Sequence, residues 1–216
     1  MAGAIVTNDA GSTANIATLT VTGGGAYAGD ITENGTDTLS LSKTTGGILT
    51  LSVGSGTFDG SVNITGGALA ITTSASLGSA TAGTVVNGGT LTLSNINLAS
   101  SESISLTGTG GGSGALQGSG VSSVAASNVI TLAGNATIAS VGALTINGAI
   151  GESGGARSLT KSGFGVLTLA GNNSYSGATI VSDGTLAAGA ADVLEAFGAN
   201  IMLTPDVNET VHVKIV

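Results

Sequence analysis

The chain has 216 residues, 38 of them glycine, with no cysteine, one proline and a formal net charge of −8. Hydrophobic residues make up 41% and charged ones only 7%, too apolar for a disordered segment, so the glycines are read as turns and close packing in a folded chain. The composition excludes a disulfide framework or thiolate metal site and, with no apolar run near 18 residues, a membrane-spanning helix; the acidic balance disfavours nucleic acid and anionic membranes as partners.

The opening "MAGAIVTNDAG" has neither a basic region nor a long apolar one, so no signal peptide is expected within it. From there period-2 alternation dominates: "ATLTVTG" (17–23), "DTLSLSK" (37–43), "GILTLSV" (47–53), "GALAITT" (67–73), "GTLTLSN" (89–95), "ESISLTG" (102–108), "GALTING" (142–148) and "GVLTLAG" (165–171). Each sets two aliphatics on one face and Ser, Thr or Ala on the other, the pattern of a short strand with one buried face. The pairs Asn34-Gly35, Asn87-Gly88 and Asn147-Gly148 suit turns that need a positive φ. Helical spacing is confined to "AADVLEAFG" (190–198), where Val193, Leu194 and Phe197 share a face and Gly198 ends a short helix. A last alternating strand, "NETVHVKIV" (208–216), closes the sequence.

The strands recur as repeats. Leu167–Gly177, "LTLAGNNSYSG", aligns without a gap to Leu19–Gly29, "LTVTGGGAYAG", and with one extra residue to Leu49–Gly60, "LTLSVGSGTFDG". Onsets such as Leu49, Leu69 and Leu91 lie 20 and 22 residues apart. A unit so small cannot bury its own apolar face and has to stack on its neighbours. The expected fold is all-β, a parallel β-helix of about ten coils and roughly 50 Å, at about 4.8 Å per coil. Residues 1–189 form the helix, with the best repeat at 159–186 and degenerate copies at 19–39 and 41–71. Residues 190–216 add the short helix and a strand that caps the rod, pairs with a neighbouring chain or adds one more coil.

One stretch carries a family likeness. Leu159, Lys161, Gly163, Gly165, Leu167, Leu169, Gly171, Asn173, Tyr175, Gly177 and Thr179, followed by Gly184 and Leu186, resemble the autotransporter-associated β-strand repeat of type V secreted bacterial surface proteins. "LSKTTGGILTL" (41–51) is similar to a second, degenerate copy. The resemblance implies a right-handed parallel β-helix at the bacterial cell surface, in a parent that carries a signal peptide and a membrane β-barrel.

Candidate sites are few. Tyr27, Phe58 and Tyr175 recur at one repeat position and read as structural corners, with a sugar-stacking aromatic ladder as the alternative. Asp30, Glu33 and Asp37 form the one acid-dense stretch, but their spacing fits neither an EF-hand nor a calcium β-roll, so a solvated loop is expected rather than a cation site. The cations are Lys43, Arg157, Lys161 and Lys214, with the two repeat lysines at one repeat position, and His212 is the sole histidine. That is too little for a polysaccharide-cleaving groove or a Ser-His-Asp site. "GGGSG" (110–114) lacks the lysine and helix of a phosphate loop. Thr18, Thr20, Thr22, Thr90 and Thr92 hint at an ice-binding row, but Leu49-Thr50-Leu51 and Leu167-Thr168-Leu169 break it. No catalytic residue, metal site or cofactor is expected. The reading is a non-catalytic structural or adhesive rod whose partners are surface glycans, proteins or itself; a self-assembling filament is the alternative and an enzyme the third.

Overall fold

The computed structural model describes residues 5–8, 16–33, 36–52, 58–189, 201–203 and 212–215. The helix expected over 190–198 lies outside these. Among the described residues, helical structure is limited to two single 3-10 turns, Ser74–Leu77 and Gly110–Gly112.

The chain winds as a parallel β-solenoid with three faces. The first face stacks Ile16–Val21, Thr38–Lys43, Val62–Ile64, Thr84–Asn87, Ser103–Gly108, the start of Val129–Ser140 and Ile150–Glu152. The second stacks Gly25–Tyr27, Ile48–Leu51, Ala68–Ile71, Thr90–Ser94 and Leu116–Ser119. It continues through the end of Val129–Ser140 to Leu159–Ser162, Thr179–Val181 and Ile201–Leu203. The third carries Asn97–Leu98, Val121–Val124, Ala143–Ile146, Val166–Leu169, Thr185–Ala188 and His212–Ile215. A further parallel pair, Ile5–Asn8 with Asp30–Glu33, lies at the first coils.

The rod has about 8 turns rather than the ten expected. Coil length is uneven, which explains the difference: Leu49 and its partner Leu69 are 20 residues apart, whereas Leu91 and Leu116 are 25 apart. The longer coil carries the glycine-rich excursion around Gly110–Gly112. Along the outer end, His212–Ile215 pairs in parallel with Thr185–Ala188, so the last strand continues the third face.

Alternation becomes a ladder because register is kept from coil to coil. Leu49, Leu69, Leu91, Leu116 and Ile138 are successive partners on the second face. Ile64, Val86, Leu106 and Leu132 are partners on the first, and Leu144, Leu167 and Leu186 on the third. All are buried. At about 1.5–3 kcal/mol for each buried aliphatic, these columns supply most of the driving force. Leu167 and Leu169 are inward and Thr168 is not, as the alternation requires.

Of the Asn-Gly turns, Asn34-Gly35 lies outside the described residues, and Gly88 has the expected positive φ of 102°. Gly148 does not, and is small for another reason: a Cβ there would stand 2.2 Å from the Asn128 carbonyl oxygen of the preceding coil.

Candidate functional site: the corners of the repeat

The repeat lysines are not surface cations. Lys161 follows Leu159 by two residues, so the pleat turns both inward. It sits in the aliphatic column between Ile138 and Val181, and its residue exposure is 0%. The ammonium donates to the carbonyls of Ser162 at 2.8 Å, Gly163, and Asp183 of the next coil at 3.0 Å. Burial pushes its pKa down to about 8, partly opposed by the Asp183 carboxylate, so it stays protonated at neutral pH. Lys43 stands between Val21 and Ile64, equally buried, and donates to the carbonyls of Thr45 and Gly46. Burial lowers its pKa too. The next coil closes each site with a glycine at positive φ, Gly67 (62°) and Gly184 (68°). A Cβ would meet the Thr45 oxygen at 2.3 Å in the first and the Gly163 oxygen at 2.4 Å in the second.

The aromatic position is also interior. Phe58 and Tyr175 are buried, and the Tyr175 hydroxyl pairs with Thr179 Oγ1 at 2.7 Å. Burial raises the Tyr175 pKa to about 12, with the Thr179 bond working the other way. Neither ring is available to stack on a sugar. Tyr27 differs: it lies within a second-face strand opposite Leu51, half-buried, and its hydroxyl donates to the Asp30 carbonyl at 3.1 Å. The three aromatics therefore form no common ladder.

Two glutamates that the sequence left unremarked or read as solvated hold the corners from outside. Glu33 accepts from the backbone N–H of Leu39 at 2.7 Å and of Asp59, in the next coil, at 2.9 Å. Glu152 accepts from the N–H of Arg157 at 2.7 Å and from the Ser176 hydroxyl of the next coil at 2.5 Å. The Ser176 bond, with help from Arg157, holds its carboxyl below the usual range. Each glutamate thus ties the start of a lysine strand (Leu39) or the turn just before it (Arg157) to the residue after the aromatic. Asp37 is buried and Asp30 exposed, so the acidic stretch does not converge on one point. Among the described residues, no group of three or more His, Cys, Asp or Glu is placed to hold a metal ion.

Glu102, not singled out by the sequence, is buried beside Thr84, whose hydroxyl donates to it at 2.7 Å. Its other oxygen has no partner. Burial raises its pKa, with the Thr84 bond opposing. His212 and Lys214 fall in the last third-face strand, away from Glu102 on the first-face side of a mid-rod corner. The excursion around Gly110–Gly112 folds over the second face and accepts from the Thr90 hydroxyl at 3.0 Å, which buries Thr90. Thr90 and Thr92 are therefore no outward pair, and the outward columns mix residue types: Thr50, Ala70, Thr92 and Gln117 follow one another on the second face. Beside this excursion lies an open recess of about 330 Å³, lined by Gly67, Ala68, Thr90, Thr92, Gly110 and Gln117 without an ionisable side chain.

A search of the curated proteins and one of the solved structures found no match. The model of the passenger-associated-transport-repeat family matches residues 41–71 and 159–188. These are the two segments in which a lysine strand, a glycine corner, a buried aromatic and a returning strand follow in that order. The chain is a parallel β-solenoid that carries two copies of the passenger-associated transport repeat, the repeat typical of autotransporter passenger domains.

Proposed function

We propose that this chain is a non-catalytic rod displayed at the bacterial cell surface, where it acts as a structural or adhesive element. The observation that supports this best is how the ionisable groups around the two repeats are spent. Lys161 donates hydrogen bonds to three carbonyls, Glu33 and Glu152 engage backbone and hydroxyl donors with both oxygens, and the Tyr175 hydroxyl is tied to Thr179. The surface that remains is mostly hydroxyl and amide, with single exposed carboxylates such as Asp30 and Asp59 and scattered apolar points such as Val121 and Phe164. Neutral glycans and weakly polar protein surfaces match that chemistry better than nucleic acid or anionic lipid do.

An epitope tag inserted at Gly111, where no neighbouring atom crowds the backbone, tests display in a parent protein expressed in its host. Antibody binding to intact cells is expected. Detection only after permeabilisation would reject surface display. Incubating the purified chain with a panel of polysaccharides and following new reducing ends tests the absence of catalysis, and sustained release would overturn it.

A further inference from the structure

Most strands of the rod read aliphatic–polar–aliphatic with the aliphatics inward; Thr84–Asn87 and Thr179–Val181 instead turn a threonine inward beside one aliphatic. Sliding one coil by a single residue would turn the aliphatics outward, but sliding it by two leaves them all inward. The aliphatic columns are therefore blind to a two-residue slip. Buried polar positions such as Thr84 and Thr179 are not, and two of the inward positions carry a charge. Lys161 interrupts the second-face column after Ile138, and Lys43 interrupts the first-face column before Ile64.

A buried ammonium is tolerated only where its donors are met. For Lys161 one acceptor, the Asp183 carbonyl, belongs to the following coil, 22 residues on. For Lys43 the following coil contributes space: a Cβ at Gly67 would stand 2.7 Å from Nζ. In both copies the site is completed by one residue of the next coil, at one alignment. Shifting that coil by two residues takes the Asp183 carbonyl away from Lys161, and it moves Gly67 off Lys43 and brings a side chain up to the ammonium.

We propose that Lys43 and Lys161 are register pins: each buried ammonium is accommodated in one alignment of its coil with the next, and so selects that alignment over the two-residue slip the aliphatic ladder permits. The two pins stand on different faces, so each acts on its own copy.

The absence of cysteine makes disulfide trapping a clean readout. Thr160 and Ile180 are outward partners in the native register, as are Ser42 and Asn63. At about 4.8 Å between neighbouring strands, such pairs fall in the range a disulfide spans. T160C/I180C and S42C/N63C report the native alignment, and T160C/S182C and S42C/T65C report the slipped one. With both lysines present, the native pairs are expected to oxidise and the slipped pairs to give at least about tenfold less product. K161M is expected to raise the slipped product severalfold in the second copy only, and K43M in the first only. Lowered melting temperature alone does not decide, since any loss of the lysine bonds produces it. The proposal is overturned if both variants stay folded by circular dichroism and trap only the native pairs. It is equally overturned if both fail to fold, because the lysines would then be required for the fold itself. If one variant fails to fold, the other copy decides: slipped product there supports the pin, and native pairs alone overturn it.

Discussion

Residues 41–71 and 159–188 build the same unit on different sides of the rod. In the first copy the lysine strand Thr38–Lys43 lies on the first face and Ile48–Leu51 on the second. In the second copy Leu159–Ser162 lies on the second face and Val166–Leu169 on the third. After the aromatic, each copy returns to its own starting strand: Val62–Ile64 pairs with Thr38–Lys43, and Thr179–Val181 with Leu159–Ser162. The unit has been turned by one face and has kept its form. Its shape is therefore set by its own corner chemistry rather than by the side of the rod it occupies. The copies differ in detail where the aromatic sits: Tyr175 and Thr179 make a polar pair, and the first copy has Phe58 and Val62 at those positions.

The largest expected effect probes how deeply each copy is buried. Leu169→Asp places an unpaired charge in the core and should cost several kcal/mol or abolish folding. Thr168→Asp, on the outward side, should change stability by less than about 1 kcal/mol. Leu51→Asp should cost less than Leu169→Asp, because Leu51 lines an open cleft of about 300 Å³ among the first coils. Urea unfolding of the three variants gives the order, and equal losses at 168 and 169 would reject the assigned facing.

Next in size are the corner glycines. Gly67→Ala and Gly184→Ala combine a positive φ with a backbone oxygen within 2.4 Å of the new Cβ. Each should cost about 2 kcal/mol or more, and the two should match if the corners are equivalent. A tolerated alanine at one of them would break the equivalence.

The aromatic difference offers a finer test. Tyr175→Phe leaves the buried Thr179 hydroxyl without its partner and should cost about 1–2 kcal/mol. Adding Thr179→Val, which recreates the first copy's pair, should recover much of that. In the first copy Phe58→Tyr should be destabilising alone and improved by Val62→Thr. A double-mutant cycle from thermal melts measures both couplings, and additive losses would show that the two residues act independently.

The smallest effect lies between the copies. Glu102 has no counterpart in either repeat, and burial holds its pKa above the ordinary 4.5. A raised folded-state pKa means that the group's contribution is fully present below about 4.5 and is lost as pH rises through the folded value. Relative to Glu102→Gln, the unsubstituted chain should therefore lose stability from acid towards neutral pH. Melting curves of both across that range check the sign, and parallel curves would show that Glu102 titrates as it does in the unfolded chain.

Much of this was legible in the sequence. Leu167-Thr168-Leu169 states its facing by alternation alone, and the near-20-residue spacing of Leu49, Leu69 and Leu91 states that coils stack. The number of coils was less so, because the insertion near Gly110–Gly112 lengthens one coil without altering the pattern on either side of it. The buried lysines were legible in principle. Lys161 lies two residues after Leu159 and Lys43 two after Leu41, so alternation turns both inward, against the general preference of charge for water. What no local pattern shows is that Gly163, Asp183 and Gly184 meet around one ammonium. The same holds for Glu33 and Glu152. They lie ten and nine residues before the lysines, and their second partners, Asp59 and Ser176, become neighbours only when the chain has gone once around.

The return of each copy onto its own first strand has a consequence for how such rods lengthen. A segment that pairs with itself on two faces brings both halves of its ladder with it. It needs from its neighbours only a coil to sit on, whichever side that coil presents. Duplicating the segment in the gene therefore need not preserve phase around the axis. Each new copy can begin on whatever face the preceding chain happens to reach, and the separation of 118 positions from Lys43 to Lys161 need not be a whole number of turns. Growth by tandem insertion is then free of any requirement for a fixed period, and uneven coils between copies are what such a history would leave behind.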